Sequence, residues 1–183
     1  IDVAAFYNNY KDLGTGEIGP LEIASDFSHA TYPINLDDKM KGDTYGVEVY
    51  AQWQVLNWWQ LHASYSYLDI QLHPRGEDSL EPEVEEKQSP ENQASLRSSM
   101  DLPKDLELDT TVRYMDNLST FDINSYHEMD LRLGWKPKED LELSISGRNL
   151  LDSGHEEFKG TGGFTIPSSD VERSVYFKVT WFF

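Results

Sequence analysis

The sequence predicts an all-β fold: about eight strands of an antiparallel, up-and-down transmembrane β-barrel segment. Three observations predict it. Apolar residues alternate with polar ones over runs of roughly 9–12 residues, enough for a tilted strand to cross a bilayer. Short and long connections alternate strictly along the chain, the layout of an outer-membrane barrel with tight turns at one end and large loops at the other. Tryptophans gather at the short-turn end and tyrosines toward the long-loop end, as two interfacial girdles would.

The strands follow in order. Residues 2–10 form the first, with the least distinct faces. In YGVEVYAQWQV, residues 45–55, Val47, Val49, Ala51, Trp53 and Val55 share one face and Glu48, Tyr50, Gln52 and Gln54 the other. The alternation returns at Leu61, Ala63, Tyr65 and Tyr67, and at Ala94, Leu96, Met100 and Leu102. It continues at Leu106, Leu108, Thr110, Val112 and Tyr114, opposite Glu107, Asp109, Thr111 and Arg113. Met129, Leu131, Leu133 and Trp135 oppose Asp130, Arg132 and Lys136; Leu141, Leu143 and Ile145 oppose Glu142, Ser144 and Ser146. Val175, Phe177, Val179, Trp181 and Phe183 make the last apolar face. Residues 56–59, 103–105 and 137–140 are the tight turns, and residues 11–39, 73–91, 116–128 and 152–172 the long loops. The tryptophans of the first girdle are Trp53, Trp58, Trp59, Trp135 and Trp181; the tyrosines of the second are Tyr65, Tyr67, Tyr114 and Tyr126.

Composition narrows the function. The 183 residues carry 33 acidic and 15 basic side chains, a formal charge of −18. That balance argues against a phosphate-binding surface, so no nucleic acid partner is expected. Cysteine is absent, which excludes a disulfide scaffold and thiol catalysis. No apolar run is long enough for a membrane-spanning helix. A mean hydropathy of −0.60 suits a soluble protein, but a membrane barrel with a polar interior gives the same value. Much of the acid falls in the long loops and most of the rest on the polar strand faces or at turns. Ile1 opens the chain with a strand pattern under way at Val3, so a preceding N-terminal part is expected.

The chain end reads VYFKVTWFF. Val175, Phe177, Val179, Trp181 and Phe183 resemble the C-terminal β-signal of outer-membrane proteins, which implies recognition by the barrel-assembly machinery. The stretch YHEMDLRLGWKPKEDLELSISGRNLLDSGHEEF, residues 126–158, resembles the closing strands of TonB-dependent receptors. Within it Arg148, Asn149, Leu150, Leu151 and Asp152 look like the family's motif before the last extracellular loop. YGVEVYAQWQV, LHASYSYLD and VRYMDNLS are similar to its barrel repeat units. The resemblance implies residues 1–183 as the C-terminal portion of a barrel of about 22 strands with a plug in its lumen; neither a plug domain nor a TonB box is identifiable in the sequence. It further implies a Gram-negative outer membrane, contact with its lipid, and energised uptake through the TonB complex of a scarce ligand, most often a ferric siderophore. It implies no enzymatic chemistry and no cofactor.

Candidate ligand contacts are few. His73, His127 and His155 lie in or beside the long loops, where they can meet a chelate at the outer mouth; His155-Glu156-Glu157 is the densest cluster. No histidine pair has metal-site spacing, so no metal site is assigned. Glu77, Asp78, Glu81, Glu83, Glu85 and Glu86 make an acidic loop able to collect cations, though a solvated loop explains them as well. Gly160, Gly162 and Gly163 read as loop flexibility. Arg97, Arg113, Arg132, Arg148 and Lys178 are spaced among acids on the polar face and suggest cross-strand ion pairs. Two other classes fit the pattern. A self-contained eight-stranded barrel, an adhesin or structural protein, requires the first strand to pair with the last. A soluble lipocalin-like binding barrel requires the Val175, Phe177 and Val179 face to point inward.

Overall fold

The computed structural model describes residues 1–75, 86–159 and 168–183. Its main sheet holds β1 (Asp2–Ile18), β4 (Ile34–Leu56), β5 (Trp59–Pro74), β6 (Asn92–Leu102), β7 (Leu106–Met115), β8 (Tyr126–Lys138), β9 (Leu141–Arg148) and β12 (Ser174–Trp181). These eight run β1-β4-β5-β6-β7-β8-β9-β12, each antiparallel to the next, so spatial order equals chain order. This is the expected meander. Among the described residues β1 and β12 do not pair, and both edges stay open. The pairing that a self-contained eight-stranded barrel requires is therefore not made.

Register carries the sequence pattern across the sheet. Val3, Val49, Tyr65, Ala94, Tyr114 and His127 lie in one cross-strand row. Residues directly opposite share a face, so the alternating apolar residues picked out in the sequence stand together on one side, while Phe6, Leu68, Ile70 and Met115 fall in the phase of Glu48 on the other. The opposite, polar side is concave: a cavity of about 700 Å³ opens on it, with Glu48, Tyr50, Ser64, Ser95, Arg113 and Glu128 among its walls. The apolar side is thus convex. On β12, Phe177 is 78% exposed and Val179 68%. A soluble carrier with these residues inside is excluded by this curvature.

The tight turns join strands at the tryptophan end. Lys104 and Asp105 adopt left-handed φ of 68° and 59°, the hand that follows strand twist. The other end departs from expectation. Residues 11–39 are loop in the sequence pattern, yet β1 runs to Ile18 and β4 starts at Ile34, their pairing interrupted by bulges around Leu13. β2 (Glu22–Ile23) and β3 (Ala30–Thr31) pair at the tip. Apart from the buried Thr15 and Met40, this tall hairpin is exposed or half-exposed on both faces, so little imposes apolar alternation on it and its period is silent in the sequence. Likewise β10 (Gly154–Phe158) pairs with β11 (Ser169–Glu172) inside the expected last loop, and a short 3-10 turn, Ser119–Phe121, lies in the 116–128 connection.

Candidate functional site: the concave polar face and its outer mouth

Four strands carry an ion ladder on the concave face. Arg132 on β8 donates to Glu107 (3.1 Å) and Asp109 (3.2 Å) on β7 and to Glu142 (2.6 Å) on β9. Lys136 donates to Glu107 at 2.6 Å, and Ser99 to Asp109 at 2.7 Å. Arg97 reaches Asp109 at 3.4 Å. Nearer the mouth, Arg113 grips Glu128 (2.9 Å) and Asp130 (2.6 Å). Each cation meets carboxylates on the adjacent strand because side chains two residues apart project together. The expected cross-strand ion pairs are present for Arg97, Arg113 and Arg132. Arg148 instead lies 5.6 Å over the Tyr176 ring, a cation–π contact. Lys178 pairs in register with Ser144.

The convex face is ringed at both ends. Trp53, Trp59, Trp135 and Trp181 face outward beside the tight turns, and Trp58 stacks on Trp59 with centroids 6.3 Å apart. Trp59 donates to Ser98 (2.9 Å) and Trp181 to Asp140 (3.2 Å). Toward the other end Tyr65 donates to Asn92 (2.7 Å), Tyr67 to Asp69 (3.3 Å) and Tyr114 to Asp116 (3.2 Å). Each ring rests on apolar neighbours and each hydroxyl points to a polar group beyond, the arrangement an interface favours. Tyr7 and Tyr45 join this ring through Asp43 and Gln71; alternation alone does not single them out. Beyond β7, the Asn92 amide donates to Asp116 at 2.9 Å and, with burial opposing, holds that carboxyl below its usual range.

Tyr126 does not belong to the tyrosine ring. It pairs with Met115 and lies on the concave side, lining the cavity with Glu157. One residue's shift of phase separates it from His127, which takes the outward position and sets its ring 4.9 Å from Tyr114. Above Tyr126 sits the 148–152 motif. Asn149 has no exposed surface and a left-handed φ of 48°, a conformation asparagine tolerates well. It ends β9 and turns the chain into the β10–β11 hairpin. The Asn149 amide donates to the Val171 carbonyl at 3.0 Å and faces His155 Nδ1 at 3.3 Å. The His155 ring stacks on Tyr126 at 4.0 Å, and its Nε2 faces Glu157 at 3.3 Å.

The three histidines singled out by sequence do not converge. His73 lies opposite Lys41 in the extended part of β5, His127 is on the convex face, and the His155 side chain is only 8% exposed. Among the described residues no group of three or more potential ligands is placed to hold a metal. Glu77, Asp78, Glu81, Glu83 and Glu85, with Gly160, Gly162 and Gly163, lie outside the described residues. Glu86 accepts a hydrogen bond from the Leu72 backbone. Val175, Phe177, Val179 and Trp181 pair with Gly147, Ile145, Leu143 and Leu141 and share the convex face.

Comparison with known proteins agrees with this geometry. The family described as TonB dependent receptor-like, beta-barrel matches residues 1–150. A search of curated protein sequences finds no match. Among solved structures, the siderophore receptor PiuA from Acinetobacter baumannii aligns with a TM-score of 0.74 at 16% identity, over 98% of this chain and 25% of that one. The pyoverdine outer membrane receptor FpvA from Pseudomonas aeruginosa, bound to pyoverdine, aligns at 0.69 and 16%, over 99% and 27%. The ferric yersiniabactin uptake receptor FyuA from Yersinia pestis aligns at 0.66 and 17%, over 99% and 27%. At these identities the likeness shows a shared fold, and the chain spans about a quarter of the length of the solved structures it matches. With the match covering most of its length, the chain belongs to the TonB-dependent receptor family, whose members are outer-membrane transport proteins of Gram-negative bacteria.

Proposed function

We propose that the chain forms the C-terminal eight strands of the barrel wall in a receptor that takes up a ferric siderophore across the outer membrane of a Gram-negative bacterium. The observation that carries this reading is the two-faced sheet. Its convex side is apolar and ringed by Trp and Tyr, its concave side is ionic, and both its edges await neighbours. An apolar belt suits outer-membrane lipid, and a polar concave wall suits a plug domain in a lumen. The plug and the TonB box lie in other parts of such a receptor, which couple uptake to the TonB complex. The β12 face, Val175, Phe177, Val179 and Trp181 with Phe183, serves as the β-signal for the barrel-assembly machinery. Tyr126 and Glu157 line the mouth where a chelate enters. His73 is a candidate contact in the extracellular extension, His127 meets the lipid boundary, and His155 acts by holding Tyr126 and Glu157. Wall, mouth and plug seat perform no covalent chemistry.

Ferric siderophores are favoured as ligand by the several siderophore receptors sharing this fold; a copper transporter shares it too. The test is uptake of radiolabelled iron from a panel of siderophores by iron-starved cells expressing the full-length receptor, with and without TonB, alongside copper. TonB-dependent accumulation of iron from at least one chelate is expected. Accumulation of copper alone would replace the ligand assignment, and uptake independent of TonB would remove the coupling.

A further inference from the structure

We infer that Asn149 is a positioning residue: one buried amide aims the extracellular β10–β11 hairpin, and with it Glu157 and Tyr126, over the mouth of the concave face. The inference rests on reading that face as the lumen. Three elements meet at Asn149. Its backbone N–H donates to Asp130 Oδ1 at 3.1 Å, and Asp130 also holds Arg113 at 2.6 Å, so the joint is tied to the ion ladder. Its side-chain amide reaches Val171 on β11 and His155 on β10 together, so the donor end bridges both strands of the hairpin. Arg173 closes the base, donating to the carbonyls of Asp152 (3.0 Å) and Asn149 (3.5 Å).

The direction of these bonds selects the amide. With Nδ2 donating to His155 Nδ1, the imidazole proton belongs on Nε2, facing Glu157. The relay runs from Asp130 through Asn149 and His155 to Glu157, and the stacked ring fixes Tyr126 beside it. Among the described residues Asn149 Oδ1 has no hydrogen-bond partner. A buried orphan acceptor is costly, so the side chain sits here for its donors. Aspartate lacks them, and glycine keeps the left-handed turn without them.

The test is a distance measurement in the full-length receptor. This chain has no cysteine, so Lys104→Cys in a tight turn and Asp170→Cys on β11 supply spin-label sites. Pulsed electron paramagnetic resonance is expected to give one narrow distance distribution in the parent. Asn149→Gly is expected to broaden it at least two-fold in width while the melting temperature stays close to the parent's. Asn149→Asp is expected to broaden it similarly. His155→Phe keeps the stack on Tyr126 and the Val171 tether, and is expected to fall between parent and Asn149→Gly. A distribution in Asn149→Gly or Asn149→Asp as narrow as the parent's overturns the assignment. If Asn149→Gly does not fold, Asn149→Asp decides in the same way. The readout is geometry alone, so the role of Asn149 is tested even in a receptor that transports nothing.

Discussion

Arg132 shows how a single side chain organises the concave wall. Its guanidinium serves carboxylates on two strands and is 30% exposed. Gly134 leaves room for it, since a Cβ there would stand 2.8 Å from Arg132 Nη2. Arg132→Met leaves Glu107, Asp109 and Glu142 crowded with less counter-charge. Partial exposure softens the cost to about 1–2 kcal/mol, below that of a fully buried pair. Arg132→Lys is expected to recover only part of it, because an ammonium lacks the planar fork; denaturant unfolding in lipid vesicles measures both. Gly46 is constrained differently. A Cβ would lie 2.3 Å from the Tyr67 carbonyl oxygen and 2.6 Å from the Phe6 ring. Backbone cannot yield there, so Gly46→Ala is expected to cost about 1–3 kcal/mol, read as a lower thermal unfolding temperature. Asn149 is visible in sequence only as part of a motif. Its burial, its left-handed turn and its grip on Val171 depend on a partner 22 positions away, and no local pattern encodes that.

Among elements, β12 tests the assignment of faces. Phe177→Arg puts a charge in the middle of the convex belt and is expected to cost about 2–4 kcal/mol of folding into a bilayer. Lys178→Arg, one residue along and on the other face, is expected to be close to neutral. Folding yield into lipid vesicles separates them; equal losses would refute the face assignment. The β1–β4 hairpin stands outside the belt and should respond to pH. Lys39 lies 2.8 Å from Asp37 and 2.7 Å from Glu17. Its hydrogen bonds to Asp37 and then Glu17 raise the ammonium above its ordinary 10.5. The bond from Lys39, then that from the Asp38 backbone, lowers the Asp37 carboxyl below its ordinary 3.8. The Asp37 contribution is complete above 3.8 and is lost as pH falls through its lowered value. The Lys39 contribution is complete below 10.5 and is lost as pH rises through its raised value. Hydrogen exchange at residues 34–40 is therefore expected, once corrected for the intrinsic pH dependence of exchange, to be most protected on the plateau between and to lose protection in acid. The alternation of Val47, Val49, Ala51, Trp53 and Val55 makes the lower part of β4 legible, because there the strand has one apolar, convex face and one polar, concave face. Ile34 to Asp43 has no such division, and the same strand is invisible there.

For the whole molecule, the number and order of the main-sheet strands were legible, as were their faces except at Tyr126; the small hairpins β2–β3 and β10–β11 and closure were not. Alternation and turn spacing report on neighbours in sequence, whereas an edge is defined by a strand that is far away or in another part of the protein. With β1 and β12 each having a single neighbour among the described residues, the isolated chain offers two rows of free backbone donors and acceptors. It is expected to self-associate in detergent, seen as a polydisperse mass by size exclusion with light scattering, while the full-length receptor stays monomeric. A monodisperse, monomeric isolated chain would show that the edges can close on each other.

The two aromatic rings also carry a length. Trp53 and Tyr45 stand eight residues apart on one face of β4, which is about 26 Å along the strand. At the tilt usual for such barrels, about 40°, the rise along the membrane normal is about 20 Å. The wall is therefore cut for a thin hydrocarbon slab. Such a barrel is matched to the bacterial outer membrane and mismatched to thicker bilayers by several ångströms. The spacing of two side chains on a single strand thus acts as a gauge of membrane thickness, and reconstitution in lipids of graded chain length should find its folding optimum among the shorter chains.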